Sequence, residues 1–261
     1  MITILFPTDF SATANNAFLY ALNLTKKLNA NLKVLSVKTH LKDYLDVKDE
    51  HIKEERNKLS EIAKVHHLDD VDFSFQIEIG ELVMKISEIV NSENVNYIVM
   101  GTNGENSFGK KFFGSETLNV INNTTIPVLA VPDKVIYKEQ RHFSFATLFN
   151  DSEENALKEM ISITDRYKAH LDVVHVEVKS MTFDMRKKKQ EWEVNHPKLT
   201  LTVIQKEDVE GALLDYCKQR KVDVLGLVHR DLNTFQRMFT TNHSKQLLTS
   251  ADFALLILLL K

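Results

Sequence analysis

The sequence is short of several residue types, and each shortage excludes something. Cys217 is the single cysteine in 261 residues, so no internal disulfide can form and a reducing compartment is expected. It sits in LLDYCKQRK, on an expected helix, where it reads as a small buried apolar side chain. Basic charge is not in excess: Lys+Arg 33 stand against Asp+Glu 36, a formal charge of −3. A nucleic-acid binder would carry a basic patch and a high pI. The longest apolar run, Phe253 to Leu260, falls far short of the ~20 residues that span a bilayer. The opening MITILFPTDF carries no basic leader or cleavage site. These absences predict a soluble cytoplasmic protein with no nucleic-acid and no membrane partner.

Signatures of familiar chemistry are missing too. There is no G-x-S-x-G elbow and no Cys-His pairing that would suggest acyl transfer. The GKK at Gly109 is not a Walker A element, which needs Gly-Lys-Ser/Thr after a correctly placed glycine. His66-His67, His229 and His243 fall in no Cys/His spacing typical of zinc, so no metal site is expected. Arg186 to Lys189, beside Trp192, read as the exposed face of a helix. No catalytic residue is predicted.

What the sequence does have is a glycine-spaced stretch, VNYIVMGTNGENSFGKKFFGSETLNVINNTTIPVLAVP from Val95 to Pro132. A buried strand, Tyr97 to Met100, breaks at Gly101, and a loop runs through Gly104 and Gly109 to Gly114-Ser115. A helix of about two turns follows, and then a second apolar strand, Ile126 to Val131. Glycines permit positive φ and close backbone approach to a ligand. A helix start offers unpaired N–H groups and the positive end of a dipole, and Ser115 can cap that helix. The stretch therefore reads as a phosphate cradle. Lys110 and Lys111 lie inside it, either to neutralise phosphate or as solvated loop residues.

Around it, strands and helices alternate. Ile2–Pro7 is an apolar run ended by proline. The turn Thr8-Asp9-Phe10-Ser11 leads to a helix with Ala14, Ala17, Phe18, Ala21, Leu24 and Leu28 at helical spacing. Leu32 to Val37 is a strand, Asp46 to Val65 a charged helix, Asp72 to Glu78 a third strand, and Gly80 leads into a helix carrying Val83, Ile86, Ile89 and Val90. This order predicts a parallel sheet with helices on both faces. After a polar linker at Asp133–His142 the pattern restarts. Phe143 to Phe149 is the new first strand, and Asn150-Asp151 is expected where Thr8-Asp9 stood. NALKEMISITDRYKAHLDVVHV echoes NAFLYALNLTKKLNANLKVLSV, VDVLGLV echoes VNYIVMG, and ADFALLILLL echoes TIPVLAV. Two tandem α/β domains are predicted, 1–132 and 143–261.

The spacing G-x2-G-x9-G-S before a short helix and a final strand resembles the nucleotide-binding motif of the universal stress protein family. ILFPTDFSATANNAF, from Ile4 to Phe18, resembles that family's first strand and helix entry. The resemblance implies two tandem doubly wound, Rossmann-like domains, each with a five-stranded parallel sheet and a ligand at the carboxyl ends of its strands. It implies ATP, alone or with Mg2+, in the first domain: Asp9 by side chain and Val37 by main chain near the adenosine, and Gly101, Gly104, Gly114 and Ser115 on ribose and phosphates. Asp9 has an alternative role, capping the first helix.

In the second half the motif positions fall on Val228, Asp231, Thr241 and Asn242, so the cradle is expected to be lost there. His229, Arg230, Arg237 and His243 remain in that loop, either to hold another anion or simply as polar surface residues.

The function expected is an ATP-binding stress-response regulator with slow or no hydrolysis and an unidentified protein partner. The alternative is a nucleotide-independent interaction protein with a vestigial glycine loop. Each family domain ends in an edge strand, so the two final strands are expected to pair as an intramolecular pseudo-dimer, with or without further pairing of chains.

Overall fold

The computed structural model describes residues 1–39, 49–102, 114–229 and 253–259. The chain divides into two compact units, Met1–Tyr137 and Lys138–Lys261.

The first unit runs β1 (Thr3–Pro7), α1 (Ala12–Leu28), β2 (Asn31–Lys38), α2 (Asp49–Val65), β3 (Phe73–Ile79), α3 (Leu82–Ser92), β4 (Tyr97–Gly101), α4 (Ser115–Asn123) and β5 (Val128–Val131). Its strands lie in the order β3-β2-β1-β4-β5, all parallel. Ile4, Leu5 and Phe6 are fully buried, as the central strand of a sheet covered on both faces must be. The order reverses between β1 and β4, which leaves a crevice at their carboxyl ends.

α1 begins where Ser11 Oγ accepts the N–H of Ala14 at 3.2 Å. It ends at Asn29, in left-handed conformation at φ 51°, with N–H groups returning to the carbonyls of the last turn. Phe18 on its inner face meets Phe6 and Phe73 at 5.4 and 5.3 Å between ring centroids. Gly80, at φ +139°, turns the chain from β3 into α3 in a conformation that L side chains rarely adopt.

Part of the segment read as linker packs on this unit. Asn16 donates from Nδ2 to the Val135 carbonyl at 2.5 Å, and its Oδ1 accepts the N–H of Tyr137 at 3.1 Å. Val135 is buried, and the Tyr137 ring stands edge-on to Tyr20.

The second unit runs β6 (His142–Ala146), a 3-10 turn (Asp151–Glu153), α5 (Glu154–Tyr167), β7 (His170–Glu177), α6 (Phe183–Asn195), β8 (Thr200–Gln205), α7 (Val209–Arg220), β9 (Val224–His229) and β10 (Ala254–Leu259). Its strands take the same parallel arrangement, β10-β9-β6-β7-β8. Both units are thus doubly wound five-stranded parallel sheets in tandem. Cys217 is buried, as expected.

One expected correspondence is corrected. The strand read over Phe143–Phe149 stops at Ala146, because the chain turns sharply at Phe149, at φ 52°. Phe10 does the same in the first unit, at φ 61°. Thr8 Oγ1 accepts the N–H of Phe10, and Thr147 Oγ1 accepts that of Phe149. Likewise Thr8 donates its N–H to Leu35 and Thr147 to Val174, at 2.8 and 2.9 Å. The counterpart of Thr8-Asp9-Phe10-Ser11 is therefore Thr147-Leu148-Phe149-Asn150, not a turn shifted to Asn150-Asp151. Leucine stands where the first unit has Asp9.

Candidate functional site

A cleft of ≈ 670 Å3 opens in the first unit at the carboxyl ends of β1, β2 and β4, facing the starts of α3 and α4. Asp9, Val37, Gly101, Gly114 and Ser115 all line it. Gly104, Lys110 and Lys111 lie outside the described residues.

The turn after β1 is built from side-chain-to-backbone bonds. Asp9 Oδ1 accepts the N–H of Ser11 at 3.0 Å, and Ser11 rather than Asp9 caps α1. The positive φ of Phe10 is costly for a bulky residue and is held by this bonding and by its ring contact with Phe75 at 6.0 Å.

The glycine loop is closed at its base. Gly114 donates its N–H to the Thr102 carbonyl at 2.5 Å. The Thr117 hydroxyl lies 3.0 Å from the Gly101 carbonyl and 3.2 Å from that of Thr102, bridging both. Gly114 is the N-cap of α4, at φ −65° and ψ 160°, with no side-chain cap bond. This corrects the expectation that Ser115 caps the helix: Ser115 is its first residue. The helix start therefore keeps amides without intrahelical partners, and those amides favour an anion.

The glycines also differ from expectation in conformation. Among the described residues Gly80 alone of the glycines has positive φ. The need for glycine at 101 is steric: a Cβ there would lie 2.9 Å from Thr13 Cγ2 and 3.2 Å from the Thr13 backbone carbon and oxygen. α1 approaches β4 too closely for a side chain.

Three further residues shape the cleft without having been singled out in the sequence. Thr102 is fully buried, and among the described residues its hydroxyl has no hydrogen-bond partner although it lines the cavity. Glu81 and Glu116 line it as well. Partial loss of hydration, then the charges of Asp9 and Glu81, push the Glu116 carboxyl above its ordinary value. Glu81 gives no local signal, since it lies far along the chain from the glycine loop. Glu116, directly after Gly-Ser at a helix start, was findable.

At the equivalent turn of the second unit a buried carboxylate takes the turn's donors. Glu153, 1% exposed, stands at the position matching Ala14. Its carboxylate accepts from Thr147 Oγ1 at 2.6 Å, from the N–H of Leu148 at 3.1 Å and from that of Asn150 at 3.0 Å. Phe149 packs on His175 and the fully buried Trp192, at 5.4 and 5.6 Å. Strand register matches Gly101 with Val228, because Tyr97 pairs with Ile4 as Val224 pairs with Phe143. Arg230, Asp231, Arg237, Thr241, Asn242 and His243 lie outside the described residues.

The profile of the universal stress protein family matches residues 1–132. The chain is 32% identical over 157 residues to universal stress protein MJ0577 of Methanocaldococcus jannaschii, a match covering 50% of this chain and 94% of that one. A universal stress protein from Archaeoglobus fulgidus DSM 4304 has the same fold at a TM-score of 0.70 and 21% identity, over 98% of this chain and 95% of its own. PA1789, a functionally unknown protein of Pseudomonas aeruginosa PAO1, superimposes at a TM-score of 0.65 and 13% identity, over 98% and 92%. Among the described residues no helix is long and apolar enough to cross a membrane. The family profile spans just over half the chain, on the unit that holds both the Gly-Ser helix start and the cleft, and the chain belongs to the universal stress protein family.

Proposed function

We propose that this protein is a stress-response regulator that binds ATP, with Mg2+, in the cleft of its first unit. One observation carries the reading. Five residues chosen on the family resemblance, on segments from Asp9 to Ser115, line a single cavity whose volume is within the roughly 300–1,000 Å3 usual for small-molecule sites. The chemistry of the lining fits. The Thr102 hydroxyl, without a partner among the described residues, offers a hydrogen bond to a polar ligand, and the uncapped start of α4 suits a phosphate. Asp9 and the backbone at Val37 would hold the adenosine; Gly101, Gly104, Gly114 and Ser115 would hold ribose and phosphates. The carboxylates of Asp9, Glu81 and Glu116 oppose a bare triphosphate, so a divalent cation belongs with the nucleotide.

Those same carboxylates favour the second reading, a nucleotide-independent interaction protein. Calorimetric titration of the full chain with ATP, with and without Mg2+, decides between them. Binding of one ATP per chain that needs Mg2+ is the expected result. No heat under either condition supports the second reading, and a stoichiometry near two contradicts a single site in the first unit.

A further inference from the structure

The second unit carries a cluster of metal-ligating side chains at the amino ends of its strands, the opposite end of the sheet from the ligand cleft of this fold. β6 and β7 pair in parallel register, His142 with His170 and Ser144 with Asp172. Residues two apart on a strand share a face, and directly paired residues share it as well. His142, His170 and Asp172 are thereby forced to one side of the sheet. His170 Nε2 lies 2.8 Å from Asp172 Oδ1, and His142 Nε2 lies 2.8 Å from Oδ2. Each residue offers one ligand atom, and all three atoms fall within 4.8 Å of one another.

We propose that His142, His170 and Asp172 form a binding site for a divalent transition-metal ion, with Zn2+ the best match. Two imidazole nitrogens and one carboxylate oxygen are a zinc donor set, and water completes the tetrahedron. Bonds of about 2.0–2.2 Å separate tetrahedral ligand atoms by roughly 3.3 Å. The two rings therefore need to withdraw only slightly from their present hydrogen bonds, each exchanging its Nε2 proton for one on Nδ1. Access is graded across the cluster. The Asp172 side chain is 1% exposed, that of His142 22% and that of His170 53%, so the carboxylate forms the floor and the imidazoles the rim. Tyr216, from α7, donates its hydroxyl to Asp172 Oδ2 at 3.0 Å. That bond orients the carboxylate and leaves Oδ1 to the metal, as an outer-shell partner does.

The fold itself does not require this cluster. The first unit places Thr3, Asn31 and Lys33 at the three matching register positions, and Lys33 there pairs with Glu93. At these three positions one copy of the sheet thus has no histidine or carboxylate while the other has two histidines and an aspartate. No sequence spacing announces the site, because strand pairing rather than a short motif brings His142 to His170.

The test uses the full chain stripped of metal with a chelator and titrated with ZnCl2 against a chromophoric competitor, with unfolding temperature measured in parallel. His170→Ala removes an exposed ligand with little risk to folding, and Asp172→Asn keeps a hydrogen-bonding floor while removing the charge. The parent is expected to bind Zn2+ with a rise in unfolding temperature, and each variant at least about tenfold more weakly. The chain has ten histidines, so the difference between parent and variants is the readout. His170→Ala that is folded and binds Zn2+ as tightly as the parent overturns the proposal. So does a parent whose unfolding temperature Zn2+ raises no more than it raises that of His170→Ala.

Discussion

Replacing Gly101 with alanine separates two reasons for a glycine at the end of β4. A glycine kept for the ligand would leave the nucleotide-free protein as stable as before. The structure gives a different reason. The added Cβ would sit 2.9 Å from Thr13 Cγ2, a side-chain atom, and 3.2 Å from both the carbonyl carbon and oxygen of Thr13. The methyl can be moved, but the backbone contacts can be relieved only by shifting α1, whose inner face is packed around the buried Phe18. Overpacking of this kind costs about 1–3 kcal/mol, or roughly 3–12 °C in Tm for a unit of this size. Far-UV circular dichroism on the full chain without nucleotide measures it. The single tryptophan, Trp192, lies in the second unit and reports that unit separately. Thr13→Ser deletes the nearest atom, so the double variant should recover part of the loss, with a coupling of at least about 0.5 kcal/mol. A Gly101→Ala protein as stable as the parent would refute the steric account and return this glycine to the ligand.

Three other outcomes follow from the same geometry. Gly114→Val is expected to fold normally, because φ −65° and ψ 160° are open to valine. It should weaken ATP binding at least about tenfold, roughly 1.4 kcal/mol, in calorimetric titration, and parent-like affinity would put the phosphates elsewhere. The raised Glu116 carboxyl takes up its proton at higher pH than an ordinary carboxylate, so Mg2+-free ATP binding should tighten as pH falls through that raised value. The same shift makes the fold lose stability as pH rises through the window, and Glu116→Gln should flatten both profiles; an unchanged binding profile would remove Glu116 from the site. Glu153→Ala should lower the unfolding temperature followed by Trp192 fluorescence, since it strips an acceptor from buried amides at about 1–3 kcal/mol per unsatisfied group; an unshifted transition would show that the carboxylate is dispensable.

The fold was legible because its central strands are buried on both faces. Ile4-Leu5-Phe6 and Ala254 to Leu258 are continuous apolar runs, and such runs between helical periodicities permit few arrangements besides a parallel sheet. Gly101, Gly114 and Ser115 were singled out by their spacing, Asp9 and Val37 by the family resemblance, and all five line one cleft. Their physical roles were not legible. Spacing does not distinguish a glycine excluded by Thr13 from one excluded by a ligand, and it does not show that Ser115 starts the helix instead of capping it. Glu81 faces the same cleft from the entry to α3, a juxtaposition created by the crossover between sheet strands and invisible in any short window.

The two units share one frame and differ in how the turn after the first strand uses its amides. Both units keep the threonine that fixes the turn, the left-handed phenylalanine after it and the strand register beneath it. What changes is small in sequence and decisive in chemistry. Asp9 becomes Leu148, removing a polar group at the turn. Ala14, which leaves room in the first cleft, becomes Glu153, whose carboxylate takes the turn's amides for itself. Those amides are paired within the turn, and Trp192 packs on the Phe149 ring. The repeat echo that pairs Asn155 with Asn16 also carries Thr147 onto Thr8, the register the backbone bonds fix, and it is the reading of Asn150-Asp151 as the turn that falls three residues late. Backbone bonds set that equivalence, and within it the two units differ at the turn itself: leucine stands for Asp9, and a buried glutamate bonded to the turn's amides stands for Ala14.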